Sequence, residues 1–257
     1  QSVVLVPAGK ISWGKLSQAV AHKAQILQVK GNFDDCLRLA RELSEGYPVF
    51  LVNSVNPDRL QGQKTAAFEV FDALGYAPDL HAMPLGNAGN ISAYHLGYRE
   101  ERDMGRIQTL PKLWGIQAEG SAPFIQGSPV KKPETIATAI RIGNPASWDL
   151  AQEAKRDTDG AFGAVSDKEI LWMHRFLSQE AGVFVEPSSA TGAAGLYKAA
   201  RLGQLPKVNS IVITVTGHGL KDPDWALKDE RGRQIKPKKV AATADSVAGL
   251  LGLEKNK

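Results

Sequence analysis

The sequence predicts an α/β fold of two lobes, in which parallel or mixed sheets of short strands are covered by helices. Three observations lead there. Short apolar runs alternate regularly with amphipathic stretches of helical length. None of the runs shows long polar alternation, so each strand is expected to be covered on both faces, as in a parallel sheet. And 257 residues, 43% of them apolar, suffice for one large domain or two modest ones sharing a cleft and are too apolar for disorder.

The elements follow in order. Ser2–Val6 reads as a buried strand, Lys15–His22 as a helix, Gln25–Val29 as a strand, and Phe33–Ser44 as a helix that Asn32 can cap. Strand Val49–Val52, helix Gln63–Leu74, strand Leu80–Pro84 and helix Ile91–Tyr98 continue the alternation. Strand Leu113–Gln117 precedes an irregular stretch from Glu119 to Arg156, where Pro123, Pro129, Pro133 and Pro145 mark loops and short helices. Strand Phe162–Val165 runs into Ser166, with Glu169 three residues on: a capping box that opens a helix to about Glu180. A brief strand Val183–Val185, helix Ser189–Leu202 and strand Ser210–Val215, the clearest buried strand, complete the pattern. A last short helix is expected at Ala242–Leu251. The expected boundary puts residues 1–55 in the remainder of a smaller lobe and 56–257 in a larger lobe with a tail.

Composition excludes several classes. No apolar run approaches bilayer-spanning length, and the first residues lack the basic flank of a secretory peptide. The lone Cys36 cannot form an internal disulfide, which favours a reducing cytoplasm. The formal charge of +4 is small. Part of the excess lies in Lys221–Lys239, where seven Lys and Arg face four Asp and Glu, and neither a basic stripe with aromatics nor a recognised nucleic-acid module is found. The five histidines and the cysteine show no metal-ligand spacing, so no metal is expected.

The strongest local signal is Pro84-Leu85-Gly86-Asn87-Ala88-Gly89-Asn90-Ile91, between a strand end and a helix start. Its glycines and asparagines tolerate turn and left-handed geometries, so successive N–H groups can converge below the positive end of a helix and cradle a phosphate. The plainer alternative is a tight turn whose Asn90 caps the helix. The spacing fits neither the Walker sequence nor the dinucleotide fingerprint. Thr216 and His218, in Thr214–Lys221, follow the best strand, where α/β proteins place ligands. The Thr216 hydroxyl can pair with a ring nitrogen without carrying charge. Asn53, Ser54 and Arg59 combine an amide, a hydroxyl and a guanidinium suited to a phosphate or carboxylate; the alternative is an Asn-Pro turn with a surface arginine. Lys10 follows the first strand as either an anion ligand or a solvated loop residue. Glu186 ends the short strand as either an active-site carboxylate or a helix-start residue.

Taken together, Pro84–Ile91 with Ala93 and Tyr94, Asn53–Pro57 with Gln61–Thr65, Ala139–Trp148, and Thr216–Pro223 resemble the threonine synthase family, of the shorter bacterial type. Those are fold-type-II pyridoxal-phosphate enzymes with a tryptophan-synthase-β-like fold, and the similarity runs from about Gln1 to Pro223. The resemblance implies that Gly86, Asn87, Ala88, Gly89 and Asn90 wrap the phosphate of pyridoxal 5'-phosphate and that Thr216 meets its pyridine nitrogen. It assigns Asn53, Ser54 and Arg59, and more weakly Lys10, to the phosphate of O-phospho-L-homoserine, which with water would give L-threonine and phosphate by γ-elimination and β-hydration. It also implies a homodimer. Nothing here matches the family's Ser/Thr-Phe-Lys-Asp segment with its Schiff-base lysine; Gly219-Leu220-Lys221-Asp222 follows Thr216 and is the wrong element. The expectation is that roughly a hundred residues carrying that lysine precede Gln1 and that this chain alone does not turn over. Another fold-type-II lyase such as threonine dehydratase, or a non-catalytic cofactor-binding protein, are the alternatives.

Overall fold

The computed structural model of the chain describes residues 1–8, 13–53, 56–229 and 232–254, with backbone alone at 13–15. Two compact units divide it, Gln1–Pro223 and Asp224–Lys257.

The first unit opens with β1 (Val3–Pro7), α1 (Trp13–Ala21), β2 (Gln25–Val29) and α2 (Phe33–Gly46). β1 and β2 pair in parallel, Val3 opposite Gln25 through Pro7 opposite Val29. Asn32 caps α2 as expected, accepting from the Asp35 N–H while the Asp35 carboxylate accepts from the Asn32 N–H. The expected burial of the first strand is only partly met: Val6 is buried, but Val3 is half exposed, because a two-stranded sheet covers little of either face.

The expected strand Val49–Val52 does not form. Val49, Phe50 and Val52 are exposed, and no neighbouring strand supplies a ladder to them. Apolar content suggested a strand there, but backbone pairing decides one. α3 (Pro57–Gln63) and α4 (Thr65–Leu74) follow, broken at Lys64, where a single helix from Gln63 was expected. Asn56 caps α3, accepting from the Asp58 N–H at 2.8 Å, with Pro57 in the first turn.

The larger sheet is built from β3 (Leu80–Pro84), β4 (Lys112–Ala118), β5 (Ala161–Val165) and β6 (Ile211–Ile213), all parallel, in the order β5-β4-β3-β6. The central β3 is buried along its whole length. Between the strands run α5 (Gly89–Asp103), the short α6 (Pro123–Gln126), α7 (Trp148–Asp157), α8 (Asp167–Glu180) and α9 (Thr191–Arg201). One core layer joins Met83, Leu85, Ile91, Tyr94, Tyr98 and Leu113 to Ala151 and Ala154 of α7. The opposite layer packs Ile116, Val165, Ile170 and Met173 on Ala190, Ala193 and Ala194. The alanines of α9 let that helix lie close, and Gly192 comes within 3.3 Å of the β3 backbone, measured from the position of a Cβ.

Two strand expectations are corrected. The expected buried strand Ser210–Val215 is a strand only at Ile211–Ile213, with single hydrogen bonds to β3 from Ser210 and Thr214, and Ile211 and Val215 stay well exposed. β6 is an edge strand with β3 as its one neighbour. Val183–Val185 is no strand but a loop with one antiparallel bridge, Val185 to His218. The Ser166 capping box forms as read, with the Glu169 carboxylate accepting from the Ser166 N–H at 2.7 Å.

A polar chain crosses the first core layer. His81 is fully buried, its Nδ1 lies 3.0 Å from the Tyr98 hydroxyl and its Nε2 2.6 Å from Thr214 Oγ1. Thr214 Oγ1 in turn donates to the Tyr94 hydroxyl at 3.1 Å. Burial pushes the His81 pKa down to about 4 and both phenols up. In the unfolded chain the imidazole titrates near ~6.5. Between those values the unfolded state binds the extra proton, so acidification destabilises the fold; above about pH 6.5 neither state is charged and the dependence ends. Burial moves His95 and His174 in the same direction. We expect His81 alone to cost about 2 kcal/mol on going from about pH 7 to pH 5, at ~1.4 kcal/mol per unit below its unfolded pKa. Urea midpoints at the two pH values check this, and equal midpoints would contradict a neutral buried His81.

The second unit, taken by itself, is small. Lys228 lies 4.0 Å above the Trp225 ring, Arg233 pairs with Asp229, and α10 (Ala244–Leu251) is capped by Thr243 and closed by left-handed Gly252. No helix among the described residues is long and apolar enough to cross a membrane.

Candidate functional site

Parallel strands bring their carboxyl ends to one side of a sheet, and β3 and β6 are neighbours. The two strongest sequence signals therefore emerge side by side: Gly86–Asn90 after β3 and Thr216 after β6.

The loop after β3 turns into α5 sooner than expected. Ala88 is the residue before the helix and takes the left-handed conformation, with φ 69° and ψ −1°, while Asn90 lies in the first helical turn and does not cap. Neither Gly86 nor Gly89 has a positive φ. The loop's left-handed residue is thus an alanine, and Gly86 is small for a different reason. A Cβ there would sit 3.0 Å from Ile140 Cα and 3.1 Å from Ile140 Cγ2.

That contact comes from the Ala139–Trp148 segment, which wraps the outside of the loop. Asn87 Oδ1 accepts from the Ala146 N–H at 2.8 Å, and the Asn87 carbonyl accepts from the Ser147 N–H. Ser121 donates to the Ile140 and Ile142 carbonyls, at 3.2 and 3.1 Å, and holds this wrap from below. The outer groups of the loop are therefore occupied. Among the described residues no backbone acceptor serves the N–H groups of Gly86, Ala88, Gly89 or Asn90. The buried Nδ2 of Asn90 also lacks a hydrogen-bond partner among the described residues. Unserved donors at the start of a fifteen-residue helix form a set that fits an anion.

Thr216 is exposed, three residues past the last ladder pair of β6. Its hydroxyl lies 2.9 Å from Ser189 Oγ, which also accepts from the Gly217 N–H at 2.6 Å. Ser188 beside it accepts from the Ala139 N–H at 3.0 Å. The serine pair of Glu186-Pro187-Ser188-Ser189 thus knits the Ala139 wrap to the Thr216 turn. Two adjacent hydroxyls were the only sign of this link in the sequence. Glu186 is buried, its N–H donates to the Gly217 carbonyl at 2.9 Å, and its carboxylate fills the space a Gly217 side chain would need. His218 is engaged locally: its Nδ1 accepts from the Leu220 N–H at 3.2 Å and its ring meets Phe184 edge-on.

The expected substrate cluster is seen only in part. Ser54 and Lys10 lie outside the described residues. Asn53 is half-buried and its carbonyl accepts from the Asn56 N–H, while Arg59 stands exposed in the first turn of α3. His95, Glu153 and Asp157 group between α5 and α7, but Arg99 Nη1 already donates to Glu153 at 2.8 Å, which makes the group an interhelix ion network.

The profile of the family described as "Pyridoxal-phosphate dependent enzyme" matches residues 1–217. The chain belongs to that family. Membership makes pyridoxal phosphate its cofactor. Among curated relatives, threonine synthase of Mycobacterium tuberculosis is 58% identical over 227 residues, covering 88% of this chain and 63% of the relative. That of Synechocystis is 52% identical over 236 residues, covering 92% of this chain and 61% of the relative. The chain therefore spans somewhat less than two thirds of the length of these relatives. The fold is that of solved family structures: Escherichia coli threonine synthase superposes with a TM-score of 0.69 at 23% identity, over 92% of this chain and 57% of that one. The fungal L-serine ammonia-lyase from Rhizomucor miehei gives 0.68 at 21% identity, over 84% and 69%. These likenesses show a fold-type-II architecture.

Proposed function

We propose that the complete protein is a pyridoxal-phosphate-dependent threonine synthase, a carbon–oxygen lyase that converts O-phospho-L-homoserine and water to L-threonine and phosphate. The observation that carries this reading is the identity, 46–58%, to relatives that bear that name and align over most of the chain.

In this reading Gly86, Asn87, Ala88, Gly89 and Asn90 hold the cofactor phosphate, with the unserved amides and the Asn90 side chain as donors. Thr216 presents a neutral hydroxyl to the pyridine nitrogen, with Ser189 fixing its direction. When bound, the cofactor supplies the electron sink for charge that develops beside the substrate's α-carbon. Asn53, Ser54 and Arg59, joined by Lys10, hold the substrate phosphate and steady its charge as it departs. No lysine of this chain is given the Schiff-base role. The lobe boundary near residue 55, the homodimer and the cytoplasmic setting belong to the same proposal. The boundary is supported by the smaller sheet lying wholly before residue 55 and the larger wholly after it.

The test is an assay of the complete protein with cofactor. Phosphate release from O-phospho-L-homoserine is expected; ammonia release from threonine in its place would sink the reading. Arg59→Ala is expected to lower kcat/KM by more than ~10-fold, the worth of one charge-assisted hydrogen bond to a phosphate. An unchanged value would remove Arg59 from the site.

A further inference from the structure

The polar chain beneath the site has a direction. The geometry of the Thr214–Tyr94 pair has the Thr214 hydroxyl as donor, at 3.1 Å. Its one proton is then committed, so at 2.6 Å from His81 Nε2 the threonine oxygen can only accept. Nε2 must carry a hydrogen, and a neutral ring then leaves Nδ1 bare to accept from the Tyr98 hydroxyl 3.0 Å away. The Thr214 hydroxyl thereby accepts from His81 and donates to Tyr94, while His81 donates through Nε2 and accepts through Nδ1.

What the chain connects matters more than its polarity. Thr214 sits one residue beyond the last ladder residue of β6 and two residues before Thr216. Its N–H still reaches the Ala82 carbonyl of β3 at 3.0 Å, and past it the strand leaves the sheet. Tyr94 sits in the second turn of α5, whose first turn carries the unserved amides of Gly89 and Asn90 and directly follows those of Gly86 and Ala88. The Thr214–Tyr94 bond therefore fastens the segment bearing Thr216 to the helix bearing the anion cradle, and His81 on the central strand braces both.

We propose that His81, Thr214 and Tyr94 are positioning residues that fix the spacing between the amide cradle at Gly86–Asn90 and the hydroxyl of Thr216, with His81 held as the Nε2–H tautomer. The proposal rests on the cofactor reading above, in which those two points grip opposite ends of one rigid molecule. A loosened tie leaves each point intact but spoils their separation, so it penalises a ligand that spans both and spares one that uses the cradle alone.

The experiment compares two probes on the complete protein freed of cofactor, pyridoxal phosphate and inorganic phosphate, by titration calorimetry. Thr214→Val keeps the shape and removes the hydroxyl; Thr214→Ser restores it. We expect Thr214→Val to weaken pyridoxal phosphate about 5–10-fold, the worth of one neutral hydrogen bond. Phosphate affinity should be unchanged, and Thr214→Ser should bind as the parent does. Equal losses for both probes would reduce Thr214 to general support of the fold and overturn the proposal, as would no loss for either. A parent protein that binds neither probe would overturn the cofactor reading itself. Nitrogen NMR of the imidazole in the unliganded protein judges the tie independently: a protonated Nε2 and bare Nδ1 on His81 are expected, and the opposite tautomer would overturn the assigned polarity.

Discussion

Gly97→Ala is expected to lower the melting temperature by about 4–8 °C, although alanine is the better helix former. Gly97 lies in the third turn of α5, and a Cβ there would press into the Lys64 carbonyl oxygen and stand 2.7 Å from Ala67 Cβ. The first is backbone at the α3–α4 break, and the second is fully buried, so neither can step aside cheaply. Helix propensity favours alanine by about 1 kcal/mol, while overpacking a tight interface costs about 3 kcal/mol. The clash wins by roughly 2 kcal/mol, and for a chain of this size each kcal/mol moves Tm by about 2–4 °C. Gly62→Ala in α3 is the control of opposite sign. Nothing lies within 4 Å of its Cβ position, so the propensity gain stands alone and Tm should rise slightly. A rise with Gly97→Ala, measured by calorimetry beside that control, would mean α4 and α5 do not approach as described.

The second large effect is expected at Gly86. A valine Cβ would already lie 3.0–3.2 Å from three atoms of Ile140, and its methyls must push that residue away or swing into the cradle. Ile140 cannot retreat freely, because Ser121 holds its carbonyl and Asn87 holds the segment beyond it. The loop is therefore expected to move, turning at least two of the amides off a common point. Losing two charge-assisted hydrogen bonds at about 1.5 kcal/mol each weakens phosphate-ester binding by about 100-fold. Binding of pyridoxal phosphate to Gly86→Val, followed by its absorbance, measures this. The fold should persist, since Gly86 belongs to neither core layer.

The sequence made the local features legible. The Ser166–Glu169 and Asn32 caps each involve residues three apart, and both form as read. β3, β4 and β5 were visible because each is a short apolar run with clear flanks. The failures share a cause. Val49–Val52 and Val183–Val185 have strand-like composition, but a strand exists only where a neighbour pairs with it, and pairing is set by residues far along the chain. The apolar run around β6 gave no sign that it borders the sheet on one side. At the site, the composition of Gly86–Asn90 pointed to a turn with left-handed geometry, yet assigned it to glycine and asparagine when Ala88 takes it. The His81 chain was invisible, since its partners stand 17 and 133 residues away.

The amides of the strand-to-helix loop at Gly86–Asn90 are expected to converge on the cofactor's phosphate. Amide-resolved NMR of the isotope-labelled chain during titration with pyridoxal phosphate tests this directly, with Gly86→Val alongside. The largest shifts are expected at the N–H groups of Gly86, Ala88, Gly89 and Asn90, with a second set at Thr216 and Gly217, and both sets should vanish in the variant. Shifts that leave these six amides unmoved while others respond would place the cofactor elsewhere and contradict the account.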